Sequence, residues 1–226
     1  MRARVFYAEF IKQGDLVFDI GANIGDRTDL FMNMGARVVA VEAQPLTYRV
    51  LAKRFIDAEN VTCWNRAASI VAGQVETIHW QTTNDTCGSA SLSESWIATA
   101  RAKKIWGDKG EWNRSAKVET TCLINLCEIF GIPKFVKIDT EGSEHSVLLG
   151  SGGILPALSF EFHPWDMDKV VNILGLLGNR YEYRISYGES FEFTTLGWLS
   201  EQEVFNKLAP HRDDKILYGD IYARLK

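Results

Sequence analysis

Short apolar runs alternate with stretches of helical periodicity along most of this chain, and no other feature restricts its fold as strongly. Leu16 to Ile20, Arg37 to Val41, Val61 to Asn65, Phe135 to Asp139, Leu158 to Phe162 and Tyr181 to Ser186 read as strands. Asp26 to Met34, Pro45 to Ile56, Leu123 to Phe130, Ser143 to Leu149 and Met167 to Leu177 read as helices between them. In the second of these helices Leu46, Val50, Leu51 and Phe55 share one face behind a proline at the first position. Strands that are apolar throughout need cover on both faces, which helices on either side of a parallel sheet provide. The expected fold is α/β, a Rossmann-like doubly wound sheet, mostly parallel, with Asp220 to Leu225 as an antiparallel last strand.

The rhythm breaks in the middle. Gln74 to Trp80 reads as a strand, Gln81 to Ser95 is polar and rich in Thr and Ser, Trp96 to Trp106 suits an amphipathic helix, and Lys117 to Thr121 a short strand. We therefore expect one domain over residues 1–226 with a lid or insertion around 81–116. At 226 residues, 46% hydrophobic and 24% charged, the chain can bury a full core. A net charge of -4 gives no general drive toward nucleic acid or an anionic membrane. No run approaches the roughly 18 apolar residues of a membrane span, and the start lacks a signal core. The expectation is a cytoplasmic protein without nucleic-acid or membrane partners. Cys63, Cys87, Cys122 and Cys127 match neither a redox pair nor zinc-ligand spacing, and read as free thiols.

Leu16 to Thr28, LVFDIGANIGDRT, is a strand, a glycine turn and a helix start, the layout of a nucleotide-type site. Gly21 and Gly25 permit positive φ and close approach of backbone to a ligand. Dinucleotide loops follow GxGxxG. Counted from Gly21, the second and third glycines are replaced by Asn23 and Asp26, and Asp26 would face a pyrophosphate with negative charge. Asp19 at the strand end suits instead a ligand carrying an ammonium and a sulfonium, as S-adenosylmethionine does. Glu42, about twenty residues on, can bind the two ribose hydroxyls of either type of cofactor. Asn65 and Ala67, where the next strand ends, are placed to line the adenine. The rival readings are an NAD-dependent oxidoreductase and a non-catalytic adenosine-ligand-binding protein.

DIGANIGDRT, AVEAQP, NRAAS, KIDTEGSEHSVLLG and SFEFHPW, in this order between Gly14 and Trp165, resemble the FkbM-type S-adenosylmethionine-dependent methyltransferases of the class I superfamily. The resemblance implies O-methylation of a hydroxyl on a small natural product or a sugar or glycan, with S-adenosyl-L-homocysteine as product. It implies that Asp19, Gly21, Ala22, Asn23 and Gly25 form the donor loop. Glu42, with Ala43 beside it, would hold the ribose, and Asp139 would face the methionine end and the acceptor. The Trp-rich stretch from Trp96 to Trp112 and the tail beyond Tyr187 carry none of these motifs.

An alcohol acceptor must lose a proton, and Asp139, Glu141, Glu161 and His163 all fall at the edge where strands four and five end. His163 or Glu161 is the favoured base and Asp139 a positioning group. Lys137 is expected to neutralise Glu161 from the neighbouring strand. Asp139, Glu161 and His163 also form the alternative set for a divalent metal, although no spacing requires one and none is expected. Glu144 and His145 read as first-turn residues offsetting a helix dipole. Trp96, Trp106 and Trp112 read as core in preference to a stacking wall for the acceptor. Acceptor identity and oligomeric state have no signature in the chain.

Overall fold

All five residues of β1 (Leu16–Ile20) are buried, as expected for a strand covered on both faces. The computed structural model describes residues 2–81, 89–105, 112–152 and 155–226. In it, β2 (Arg37–Val41) and β3 (Val61–Trp64) extend the sheet on one side of β1. On the other side β7 (Phe135–Ile138) and β8 (Ala157–Phe162) continue it in parallel. β10 (Gly219–Leu225) then enters antiparallel between β8 and β9 (Tyr181–Tyr187), giving the order β3-β2-β1-β7-β8-β10-β9. The seven-stranded sheet is thus mostly parallel with antiparallel end strands, as the alternation predicted.

The crossovers are α2 (Asp26–Asn33), α3 (Pro45–Arg54), α5 (Leu123–Phe130), α6 (Glu144–Leu149) and α7 (Met167–Leu177). Period-two alternation divides each strand between two cores. Phe18, Ile20, Val136, Ile138, Phe160 and Phe162 face the larger one, with residues of α5, α6 and α7. Val17, Val38, Phe135 and Tyr222 face the other, packed on Phe31 of α2 and Tyr7 of α1 (Arg2–Tyr7). There the hydroxyls of Tyr7 and Tyr222 are hydrogen-bonded at 3.1 Å. Among the described residues no helix is long and apolar enough to cross a membrane.

The middle of the chain differs from expectation. β5 (Val75–Gln81) pairs antiparallel with β6 (Trp112–Thr121), and the short β4 (Ala67–Ala68) pairs with β6 in parallel, so a second sheet of three strands forms. Only the last half of β6 was expected. Its first half is polar and largely exposed, so it carries no apolar run to reveal it. Between these strands lies α4 (Glu94–Ala102), where Trp96 and Trp112 pack with Trp165 and are 3% and 6% exposed. These two are core, as predicted; Trp106, Cys87 and the first part of the TCGSAS segment lie outside the described residues. α8 (Glu201–Leu208) was not anticipated, although its capping box, Ser200 with Glu203, is visible as SEQE.

Gly21 ends β1 at a φ of 79°, and a Cβ there would lie 1.7 Å from the backbone oxygen of Asp139. The ends of β1 and β7 are in direct backbone contact at this point, with Asp139 N–H donating to the Ile20 carbonyl at 2.9 Å. At Gly175 in α7, by contrast, a Cβ would meet no described atom within 4 Å. Urea unfolding should show Gly21→Ala destabilised by about 3 kcal/mol or more, if it folds. Gly175→Ala should be stabilised by about 0.5–1 kcal/mol, through helix propensity and reduced unfolded-state entropy.

Candidate active site

β1 hands its chain to the β2 side and β7 hands its chain to the β8 side, so a crevice opens beyond the carboxyl ends of β1 and β7. Two cavities meet there. The first, about 770 Å³, is lined by Gly21, Asn23, Glu42, Ala43, Ala67 and residues of the loop after β7. The second, about 680 Å³, is lined by Asp19, Arg27, Lys137, Tyr218 and Asp220 among others. Gly21, Asn23, Asp139 and Glu161 line both.

The first cavity is built by the glycine turn. With Gly21 at positive φ, Gly21 N–H and Ala22 N–H donate to the Val41 carbonyl at 2.9 and 3.0 Å, bringing the turn against the end of β2. Asn23 adopts a left-handed φ of 51° and its N–H donates to Glu42 Oε2 at 2.9 Å. Gln44 N–H donates to Glu42 Oε1 at 2.7 Å. Each carboxylate oxygen keeps a further lone pair, which is the capacity that a vicinal diol such as a ribose uses. Burial pushes the Glu42 carboxyl up to about 7, against the pull of those two N–H groups. Asn65 does not line the cavity; its amide donates to the carbonyls of Glu42 and Ala43 at 2.7 and 3.1 Å and braces the acid from behind. Gly25 does not line it either. A Cβ there would meet Phe55 and Leu51 of α3 at 2.4 and 2.8 Å, so Gly25 serves helix packing.

The floor between the cavities is charged. Asp19 and Lys137 face each other in register and both are buried. Asp19 Oδ2 accepts from Thr28 at 2.6 Å, whereas Asp19 Oδ1 has no partner among the described residues. Burial raises the Asp19 carboxyl, opposed by Lys137 and Thr28. Lys137 Nζ donates to Asp139 Oδ2 at 2.8 Å. Burial raises the Asp139 carboxyl, but the charge and hydrogen bond of Lys137 outweigh it and hold Asp139 below the usual carboxylate range. Lys137 therefore does not neutralise Glu161, contrary to expectation. Lys137 and Asp139 lie two residues apart on one face of the chain, and the ammonium reaches its own neighbour first.

Glu161 is left with Oε2 buried and unpartnered among the described residues. Burial, then the charges of Asp139, Glu141 and Glu144, push its carboxyl well above the usual range. His163 Nδ1 lies 3.9 Å from that oxygen and is also unpartnered there. Burial lowers the imidazole to about 4, so it is neutral near pH 7. His163 packs at a tilt against Trp165, stacks on Tyr218 and lines neither cavity. Among the described residues the group whose oxygens approach within 4.8 Å of one another is Asp139, Glu141 and Glu161. Its third member is Glu141, not the His163 of the alternative metal set. Glu141 lines the first cavity.

Of the sequence-derived positions, Gly21, Asn23, Glu42, Ala43, Ala67, Asp139, Glu141 and Glu161 meet at the first cavity, and Asp19 and Ala22 line the second. Residues that sequence reasoning missed are Tyr218 and Asp220, brought over the second cavity by the antiparallel β10. Asp220 is raised to about 6 by burial, against the pull of Lys137.

No curated protein matches the chain. Among solved structures, a precorrin-6y C5,15-methyltransferase from Geobacter metallireducens superposes with a TM-score of 0.50 at 12% identity, over 98% of this chain and 86% of that one. An rRNA methylase from Streptococcus thermophilus gives 0.49 at 12% identity over 99% and 93%. Fibrillarin from Aeropyrum pernix, solved with natively bound S-adenosyl-L-methionine, gives 0.49 at 11% identity over 94% and 67%. At 12% identity the first of these shows a likeness of fold alone. The sequence itself goes further: residues 19–185 match the model described as the methyltransferase FkbM domain, and the chain belongs to this family of S-adenosylmethionine-dependent methyltransferases.

Proposed function

We propose that this enzyme methylates a hydroxyl group of a small polar acceptor, a natural product or a sugar, with the donor in the first cavity and the acceptor in the second. The observation that carries the reading is Glu161, which lines both cavities and whose Oε2 is buried without a partner among the described residues. The donor supplies an electrophilic methyl carbon on a sulfonium. Glu42 accepts the ribose hydroxyls, Ala43 and Ala67 line the adenosine, and Asp139, kept ionised by Lys137, faces the positive centre. Glu161 takes the acceptor proton as oxygen bonds to the methyl carbon and the sulfur keeps the electron pair of the broken bond. Proton removal by a placed carboxylate contributes about 10²–10⁴-fold. Neutral His163 stands behind Glu161 and spares it a fixed ion pair.

The acids around the second cavity, Asp19, Asp139, Glu161, Glu189 and Asp220, suit the donor hydroxyls of a polyol. The cations lining it are already engaged, Lys137 by Asp139 and Arg27 by Glu189. A phosphate backbone would meet net negative charge here, which favours a small acceptor over a nucleic acid.

Transfer of a labelled methyl group to a panel of sugars and hydroxylated small molecules tests the proposal. Glu161→Gln should lower kcat by about 10²-fold or more while the Kd for S-adenosylhomocysteine changes less than about threefold. An unchanged kcat, or methylation of nitrogen or carbon acceptors only, contradicts it.

The donor side has its own pH signature. A carboxyl raised above its unfolded value contributes stability that is present at low pH and lost as pH rises through about 7. Ribose hydroxyls favour the ionised form and return what was lost. The rise in Tm produced by S-adenosylhomocysteine should therefore be larger at about pH 8 than at about pH 6, and Glu42→Gln should flatten this difference.

A further inference from the structure

Thr140 and Glu141, in the loop between β7 and α6, line the first cavity. Glu141 sits there at a φ of 51°, a left-handed conformation that L residues other than Asn and Asp seldom adopt. The chain holds this loop from two sides. Behind it lies Glu144, fully buried. Glu144 Oε1 accepts from Thr140 N–H at 2.9 Å, and both of its oxygens accept from Gly142 N–H at 3.2 Å. Glu144 Oε2 also accepts from Lys169 Nζ of α7 at 2.8 Å, and Lys169 is itself 8% exposed. In front of the loop, the Ser91 hydroxyl donates to the Glu141 carbonyl at 2.6 Å. Gly142 meanwhile lies flat against Trp96 of α4, where a Cβ would come within 2.4 Å of the indole.

The first-turn role expected for Glu144 is therefore incomplete. Its carboxylate points inward, toward backbone donors and a buried ammonium. Burial works to raise the Glu144 carboxyl, but the charge and hydrogen bond of Lys169 outweigh it and keep the group ionised. Burial likewise works to lower Lys169, and Glu144 outweighs it. A buried ion pair is a poor source of net stability compared with apolar residues of the same volume. What apolar residues would not replace is the set of acceptors for Thr140 and Gly142, and that set fixes the course of the loop.

We propose that Glu144 and Lys169 are positioning residues for donor binding: the pair shapes the Thr140 to Gly142 loop so that Thr140 and Glu141 form the wall of the first cavity. Ser91 secures the same loop from the side of the second sheet. The inference rests on dependence on S-adenosylmethionine, which the family gives, and not on the nature of the acceptor.

Two double variants of the full chain separate positioning from packing, with Tm and the calorimetric Kd for S-adenosylhomocysteine as readouts. Glu144→Gln/Lys169→Met keeps an oxygen acceptor for the loop, whereas Glu144→Leu/Lys169→Met removes it; both delete the charges. The leucine variant should bind S-adenosylhomocysteine about tenfold more weakly than the wild type, measured well below its Tm, and the glutamine variant within about threefold of it. Wild-type affinity in both variants, or equal loss in both, overturns the proposal. Should the leucine variant not fold, Ser91→Ala decides: a Kd raised about threefold or more at unchanged Tm supports the proposal, and an unchanged Kd overturns it.

Discussion

The backbone contact between the ends of β1 and β7 is the constraint on which the site depends. Because Gly21 has no side chain, the Asp139 carbonyl can occupy the space where a Cβ would stand. The strand ends then close on each other, and the two chains diverge toward opposite edges of the sheet. One divergence leads through Asn23 to Glu42, the other through Glu141 and Glu144 into α6. The crevice and both cavities are the space between these departures. A methyl group at position 21 would act on the sheet, the glycine turn and the acid at the end of β7 together.

Charge inside this crevice is organised around a single buried ammonium. Lys137 bonds Asp139 directly and lies beside Asp19 and Asp220, and those three acids outweigh the effect of burial and keep it protonated. On the neighbouring strand Glu161 receives no such partner among the described residues, and its carboxyl rises where Asp139 falls. One sheet edge thus carries two carboxylates of opposite tendency, an ionised one and a proton-seeking one. A second buried pair, Glu144 with Lys169, stands deeper and engages backbone donors of the loop instead of the cavities.

Most of the main sheet was legible because its strands are short, apolar and bounded by glycine or proline, and Met167–Leu177 was anticipated to the residue. The first half of β6 was not, since a strand with alternate residues in water looks like polar loop. The glycine turn was legible from glycine spacing; the positive φ expected at Gly25 is real, and the close approach it permits is to Phe55. Glu144 was read only as a first-turn acid because such an acid is ordinarily solvated, and only the arrival of Lys169 from α7 shows that it faces inward. The pairing of Lys137 with Asp139 follows from strand geometry, which places residues two apart on one face. Tyr218 and Asp220 could not be found from motif order, because an antiparallel strand inserted from the end of the chain brings them over the site.

The most direct measurement is a crystal structure with S-adenosylhomocysteine bound. Its ribose hydroxyls should lie on Glu42, its adenine against Ala67, and its sulfur at the wall formed by Asp139 and Glu161, open to the cavity beneath Tyr218. Adenosine seated in the second cavity, or a Glu42 carboxylate without ligand contact, would contradict the assignment of donor and acceptor to the two cavities.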